Sequence, residues 1–333
     1  MPKITMMPSG INAAFAGGNS APVKRGGVCG LTKGSARRNK AFLMSIDTSK
    51  LHGTPVTMTF TLRDAPESSK EWDKLKRRLW PRLKRLGMFR AHFVTEWTRR
   101  GVPHLHVMAF FESMQIRLPD NSMARLVLTN YAILQHWLSI SHQYGTGPQG
   151  QHVRIETDRI DVAWFKYMSK HASRSAFHYQ RQSELIPKGW HSTGRMWGKV
   201  GSDWPVHHEC HELDNWAFHS LRRQVRRLRR AKARTDIKSG RLKSVEAGLS
   251  TLAYLRSQKR ITCAARSATL PISEWVDIDV TTRLLEGIHL NIEPKLDRMY
   301  PSRQIAWSTP QQGLGRDATA LAPRYASVMP SPH

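Results

Sequence analysis

The segment Glu96-Trp-Thr-Arg-Arg-Gly-Val-Pro-His104-Leu-His106 carries two imidazoles and a carboxylate at a spacing from which a divalent cation could be held. Side chains two apart on a strand share a face, so His104 and His106 sit roughly 6.5 Å apart along it, with Leu105 and Val107 turned the other way into a core. One cation can bridge that gap. Phe89 to Trp97 and Pro103 to Phe111 read as strands joined by Arg99-Arg100-Gly101, and Gly101 supplies the left-handed residue that such a hairpin loop requires. The resulting register sets Thr98 opposite Val102, Trp97 opposite Pro103 and Glu96 opposite His104, on the face of both histidines. It also leaves Pro103 in a non-hydrogen-bonded pair, where its missing N–H costs nothing. This donor set suits Mg²⁺ or Mn²⁺ acting on a phosphate, and the imidazoles alone would also suit Zn²⁺. The competing interpretation is a pair of solvent-facing histidines beside an ordinary surface acid.

A reactive group lies downstream, in Trp164-Phe-Lys-Tyr167-Met-Ser-Lys170-His171. On a helix Tyr167, Lys170 and His171 stand at i, i+3 and i+4 and share one face, with Trp164 on the turn before. A phenol with a pKa of about 10 is a poor nucleophile when neutral, so attack on a phosphate at neutral pH needs a cation nearby. Lys170 and the metal could both serve. His171 is a candidate fourth ligand or a DNA contact.

The elements that must position these groups follow from periodicity. Pro55 to Leu62 alternates as a strand does, and Ser68 to Leu86 places Trp72, Leu75, Leu79, Leu83 and Leu86 at helical spacing. Ser69 is the expected N-cap, Gly87 the stop, and Pro81 a kink or break. Met123 to His142 reads as one long helix with Leu126, Tyr131, Leu134 and Leu138, Gln151 to Thr157 as a strand, and Asp161 to Ser173 as a helix capped by Asp158 or a neighbour. This order implies an α+β fold, an antiparallel sheet with helices packed on one side. Residues 1–38 read as a flexible arm, 39–205 as a catalytic domain, 206–300 as a basic, largely helical accessory region and 301–333 as a flexible tail.

Composition limits the partners. Lys and Arg number 52 against 25 acids, a formal charge of +27 on 333 residues, so the field draws polyanions, nucleic acid before an acidic membrane surface. From Leu221 to Lys243 eleven basic residues face one acid, and Arg222, Arg223, Arg226, Arg227, Arg229 and Arg230 are the candidate phosphate contacts. Lys74, Lys76, Arg77, Arg78, Arg82, Lys84 and Arg85 offer a second basic surface. No apolar run spans a bilayer, no secretory layout opens the chain, and the three cysteines suggest neither disulfides nor a zinc site, which together fit a reducing cytoplasm. There is no phosphate loop, hence no ATP motor. His207-His-Glu-Cys-His211 reads as a loop, and Trp190, Trp197 and Trp204 as core residues before base-stacking ones.

These residues resemble the His-hydrophobic-His endonuclease superfamily, in particular the rolling-circle replication initiators of small plasmids and single-stranded DNA phages. His104-Leu-His106 is similar to the family's second motif, with Glu96 where a third ligand often originates. Tyr167-x-x-Lys170 is similar to the third motif and Thr57-Met-Thr-Phe-Thr-Leu62 to the first, while Gly194-Arg-Met-Trp-Gly198 resembles a segment of phage-type initiators. Some relatives carry a second tyrosine on this helix, but here neither Ala163 nor His171 is one. The resemblance implies a single-tyrosine enzyme that nicks origin DNA with Mg²⁺ or Mn²⁺, keeps the 5′ phosphate on Tyr167 and depends on a host helicase and DNA polymerase. A second protomer could complete the cycle as a dimer at the origin. A relaxase or transposase with the same chemistry, or a non-catalytic DNA-binding regulator, are the alternatives.

Overall fold

In the computed structural model the chain runs β1 (Pro2–Met7), β2 (Gly10–Phe15), α1 (Lys33–Ser45), β3 (Thr54–Thr61), α2 (Ser69–Arg85), β4 (Met88–Trp97), β5 (Pro103–Phe111), β6 (Met114–Arg117), β7 (Met123–Leu126), α3 (Asn130–Ser141), β8 (His152–Ile155), α4 (Val162–Met168), β9 (Trp197–Val200), β10 (Glu209–Glu212), α5 (Asn215–Lys238), β11 (Ile272–Glu274) and α6 (Ile278–Leu290). The structure describes residues 1–15, 30–98, 100–117, 120, 123–126, 128–156, 162–169, 186–238 and 272–290. Residues 1–288 form one compact unit, and of the second, 289–333, only the end of α6 is described. The fold is α+β. A five-stranded antiparallel sheet has the order β8-β3-β5-β4-β9, and a four-stranded one the order β10-β1-β2-β11.

Alternation gives the five-stranded sheet two different faces. On one, Val56, Met58 and Phe60 of β3, Leu105 and Val107 of β5, and Ala91 and Phe93 of β4 meet Trp72, Leu75, Leu79 and Leu83 of α2 and Ile133, Trp137 and Ile140 of α3. Phe60 and Trp137 stack there with ring centroids 4.9 Å apart, as in a filled core. These are the helices expected on one side. The other face is covered too: Val94, Met108 and Phe110 pack with Leu43 of α1 and Phe165 and Met168 of α4.

Several expectations are corrected. Residues 2–15 form a hairpin at the centre of the smaller sheet, with Ile4 and Ile11 fully buried, so the flexible-arm reading of residues 1–38 fails there and again over α1. The Ile4/Met6 and Ile11/Ala13 alternation was masked by small residues, and its partners β10 and β11 lie far along the chain. The long helix expected over Met123 to His142 is instead β7, paired with β6, followed by α3. Thr129 accepts the Ala132 amide as N-cap, and the buried stripe is Ile133, Trp137 and Ile140 while Tyr131 is exposed. Ser68, one residue before the expected Ser69, caps α2 through the Glu71 amide. Pro81 leaves α2 unbroken, because it sits on the exposed side where water can take the carbonyl that its ring deprives of a donor. Part of His207 to His211 is strand β10 and not a loop, because β1 offers it an edge.

Candidate active site

The β4–β5 register sets Glu96 opposite His104 and Trp97 opposite Pro103, as the loop requires. Gly101, at φ 78°, donates its N–H to the Thr98 carbonyl at 3.0 Å, and Thr98 N–H donates to the Val102 carbonyl at 2.9 Å. Glu96, His104 and His106 therefore rise on one face, opposite to buried Leu105 and Val107. His106 Nε2 lies 3.8 Å from Glu96 Oε1, and the two histidine rings are nearly parallel with centroids 6.2 Å apart. From β3, Thr59 pairs opposite His106 and brings its Oγ1 to 3.0 Å from Nδ1. When Nδ1–H donates to this hydroxyl, Nε2 keeps the lone pair a metal would use.

The later helix closes over this face. Phe165 and Met168 are buried and anchor α4, which leaves Trp164 and Tyr167 on its flank. The Tyr167 ring stands edge-on to His106, centroids 5.8 Å apart, and tilts against Trp164 at 5.3 Å. Hairpin and phenol thus meet on the same side of the sheet. Lys170 and His171 lie outside the described residues.

The donor set of Glu96, His104 and His106 fits a divalent cation in type and in side. Among the described residues no three His, Cys, Asp or Glu side chains are already gathered as a metal cage, so closure round a cation requires side-chain rotation. Sequence reasoning missed Thr59, although Thr57, Thr59 and Thr61 form a visible polar alternation; only the β3–β5 register reveals which of them meets His106. It also missed Asn39 and His92, whose buried hydrogen bond has no short-range signal.

The basic candidates separate by burial. On α5, Ala217, Phe218, Leu221 and Val225 face inward, and Arg222 goes with them, 5% exposed with its guanidinium over the Phe218 ring. Arg222 is thereby withdrawn from the candidate phosphate contacts, since it sits one helical turn from Phe218 on the inner stripe. Arg223 and Arg227 are exposed, and the side chains of Arg226, Arg229 and Arg230 lie outside the described set. On α2, Lys76 is buried against Asp73 at 2.7 Å, whereas Lys74, Arg77, Arg78, Lys84 and Arg85 are exposed. Trp190 and Trp204 are core residues whose Nε1 groups donate to the carbonyls of Pro66 and Val200. Among the described residues no helix is long and apolar enough to cross a membrane.

Comparison with known proteins bears on this site directly. The family model described as replication-associated protein ORF2/G2P matches residues 55–174, a span that holds the hairpin and Tyr167. The chain is 41% identical over 254 residues to the replication-associated protein G2P of Pseudomonas phage Pf3, covering 76% of this chain and 83% of that protein. It is 37% identical over 295 residues to a provisionally assigned replication protein of Xylella fastidiosa (strain 9a5c), covering 84% and 94%. A similar protein from strain Temecula1 / ATCC 700964 is 37% identical over 287 residues, covering 83% and 99%. With identity at this level over most of both chains, the protein belongs to the replication-associated ORF2/G2P family.

Proposed function

We propose that this protein starts replication of a phage or plasmid genome by nicking one DNA strand through Tyr167 and rejoining it later, as a single-tyrosine member of the His-hydrophobic-His endonucleases. The supporting observation is the Tyr167 ring edge-on to His106, on the face shared with Glu96 and His104. In the reaction the Tyr167 oxygen bonds to the scissile phosphorus, the bond from phosphorus to the 3′ oxygen breaks, and the phenol's proton ends on that oxygen. The products are a 5′-phosphotyrosine and a free 3′ hydroxyl, and reversal restores the strand. Glu96, His104 and His106 would hold Mg²⁺ or Mn²⁺, which when bound supplies charge neutralisation at the phosphate. Thr59 fixes the His106 ring, and Trp164 supports the phenol. Exposed Arg223 and Arg227 add to the field that draws the DNA backbone. A host helicase would open the duplex, a host polymerase would extend the 3′ hydroxyl, and a second protomer would supply the tyrosine for the second cleavage.

The test is incubation with a randomised single-stranded DNA library and Mn²⁺, then denaturing separation of protein-linked DNA. Wild type should retain linked strands of restricted sequence and Tyr167→Phe none. Equal retention by both, or none by wild type with either metal, overturns the reading.

A further inference from the structure

A buried hydrogen-bond chain joins the sheet to the tyrosine helix. His92 lies on β4 four residues before Glu96, on the same face, and is fully buried. Its Nε2 is 2.7 Å from Asn39 Oδ1 on α1, and Asn39 Nδ2 donates to the Met168 carbonyl at 3.1 Å. The directions follow from donor chemistry. A carbonyl oxygen only accepts, so Asn39 turns its amide nitrogen to Met168 and its oxygen to His92, whose Nε2 must then carry the hydrogen. Burial pushes the His92 pKa down to about 3, so the ring stays neutral.

Met168 follows Tyr167 directly and is the last residue of α4. Carbonyls at a helix end have no partner within the helix, and Asn39 provides one from outside. The described stretch of α4, Val162–Met168, is anchored by buried Phe165 and Met168, so its position is set by what it touches. We propose that Asn39, held in turn by His92, is a positioning residue for Tyr167, fixing the height and rotation of the phenol above His106. This rests on Tyr167 being the nucleophile. Asn39 touches no reacting atom; it acts through the backbone of the next residue.

Two variants test it. Asn39→Leu keeps the shape without either polar group, and Asn39→Asp keeps an oxygen for His92 while removing the donor to Met168. Amide hydrogen exchange over residues 162–169 should quicken by about tenfold or more in both. With an oligonucleotide recovered from wild-type adducts, the maximal single-turnover rate should fall on the order of ten- to a hundredfold while the half-saturating DNA concentration stays unchanged. Should Asn39→Leu fail to fold, the nearly isosteric Asn39→Asp decides. Unchanged exchange in α4, a wild-type rate in a folded variant, or parallel loss of binding and rate overturns the positioning role. Absence of adduct with wild type overturns the nucleophile instead, and the exchange data still judge the tie itself.

Discussion

Among the described residues, two groups of histidines lie around a glutamate, and their surroundings separate them. In the first, the Glu96 and His106 side chains are 10% and 11% exposed, lie at the centre of the larger sheet and face Tyr167. In the second, His207 just before the edge strand β10 and Glu209 and His211 on it are about half exposed, with His207 Nε2 3.2 Å and His211 Nε2 3.5 Å from the carboxylate. Here the imidazoles hydrogen-bond the glutamate and hold its carboxyl below the usual range. By distance alone the exposed group is the tighter one. Water and salt screen it, however, whereas the first group has the Tyr167 ring packed against His106. On the proposed reading, what singles out the first group is its enclosure beside Tyr167 and not residue type or proximity alone.

The contrast can be broken at either end. Tyr167→Phe should abolish covalent DNA attachment, a loss of ~10⁴-fold or more read on denaturing gels. His106→Ala should lower the rate by ~10²- to 10³-fold, and Mn²⁺ titration should show weaker activation than in wild type. Thr59→Val, which removes the hydroxyl at Nδ1, should cost ~10- to 100-fold in apparent metal affinity while leaving DNA binding intact. Acid should act through the buried face. Unfolded, His92 titrates at its ordinary 6.5 and folded at about 3, so the unfolded chain binds more protons between those values. The stability it contributes is complete above 6.5 and declines as pH falls toward 3, by at most about 1.4 kcal/mol per pH unit. Denaturant unfolding of His92→Gln at pH 7 and 5 should show the flatter dependence. The smallest effect belongs to His211→Ala, which should leave the nicking rate within about twofold; a loss matching that of His106→Ala would erase the distinction.

Much of the site was legible because its geometry is local. The Arg99–Gly101 loop dictates the Glu96–His104 register, and period-two alternation puts both histidines on one face. Tyr167 could be placed on a helix from four residues of spacing. What escaped depends on contacts distant in sequence: Thr59 meets His106 only through β3–β5 pairing, and Asn39 meets His92 only once α1 crosses the sheet. Composition misled where small residues hid a strand pattern, as in residues 2–15, and where a basic run obscured an inward stripe, as at Arg222. Leucine count misled for α3, whose core contacts come from Ile133, Trp137 and Ile140.

The smaller sheet imposes an order of events during synthesis. Its central strands, in residues 2–15, are made well before their neighbours, residues 209–212 and 272–274. A lone two-stranded hairpin is marginal in water. At ribosomal speed the wait for the last strand is on the order of ten to fifty seconds. Nascent chains halted before residue 209 should accordingly yield residues 2–15 to protease, and chains carried well past 274 should shield them.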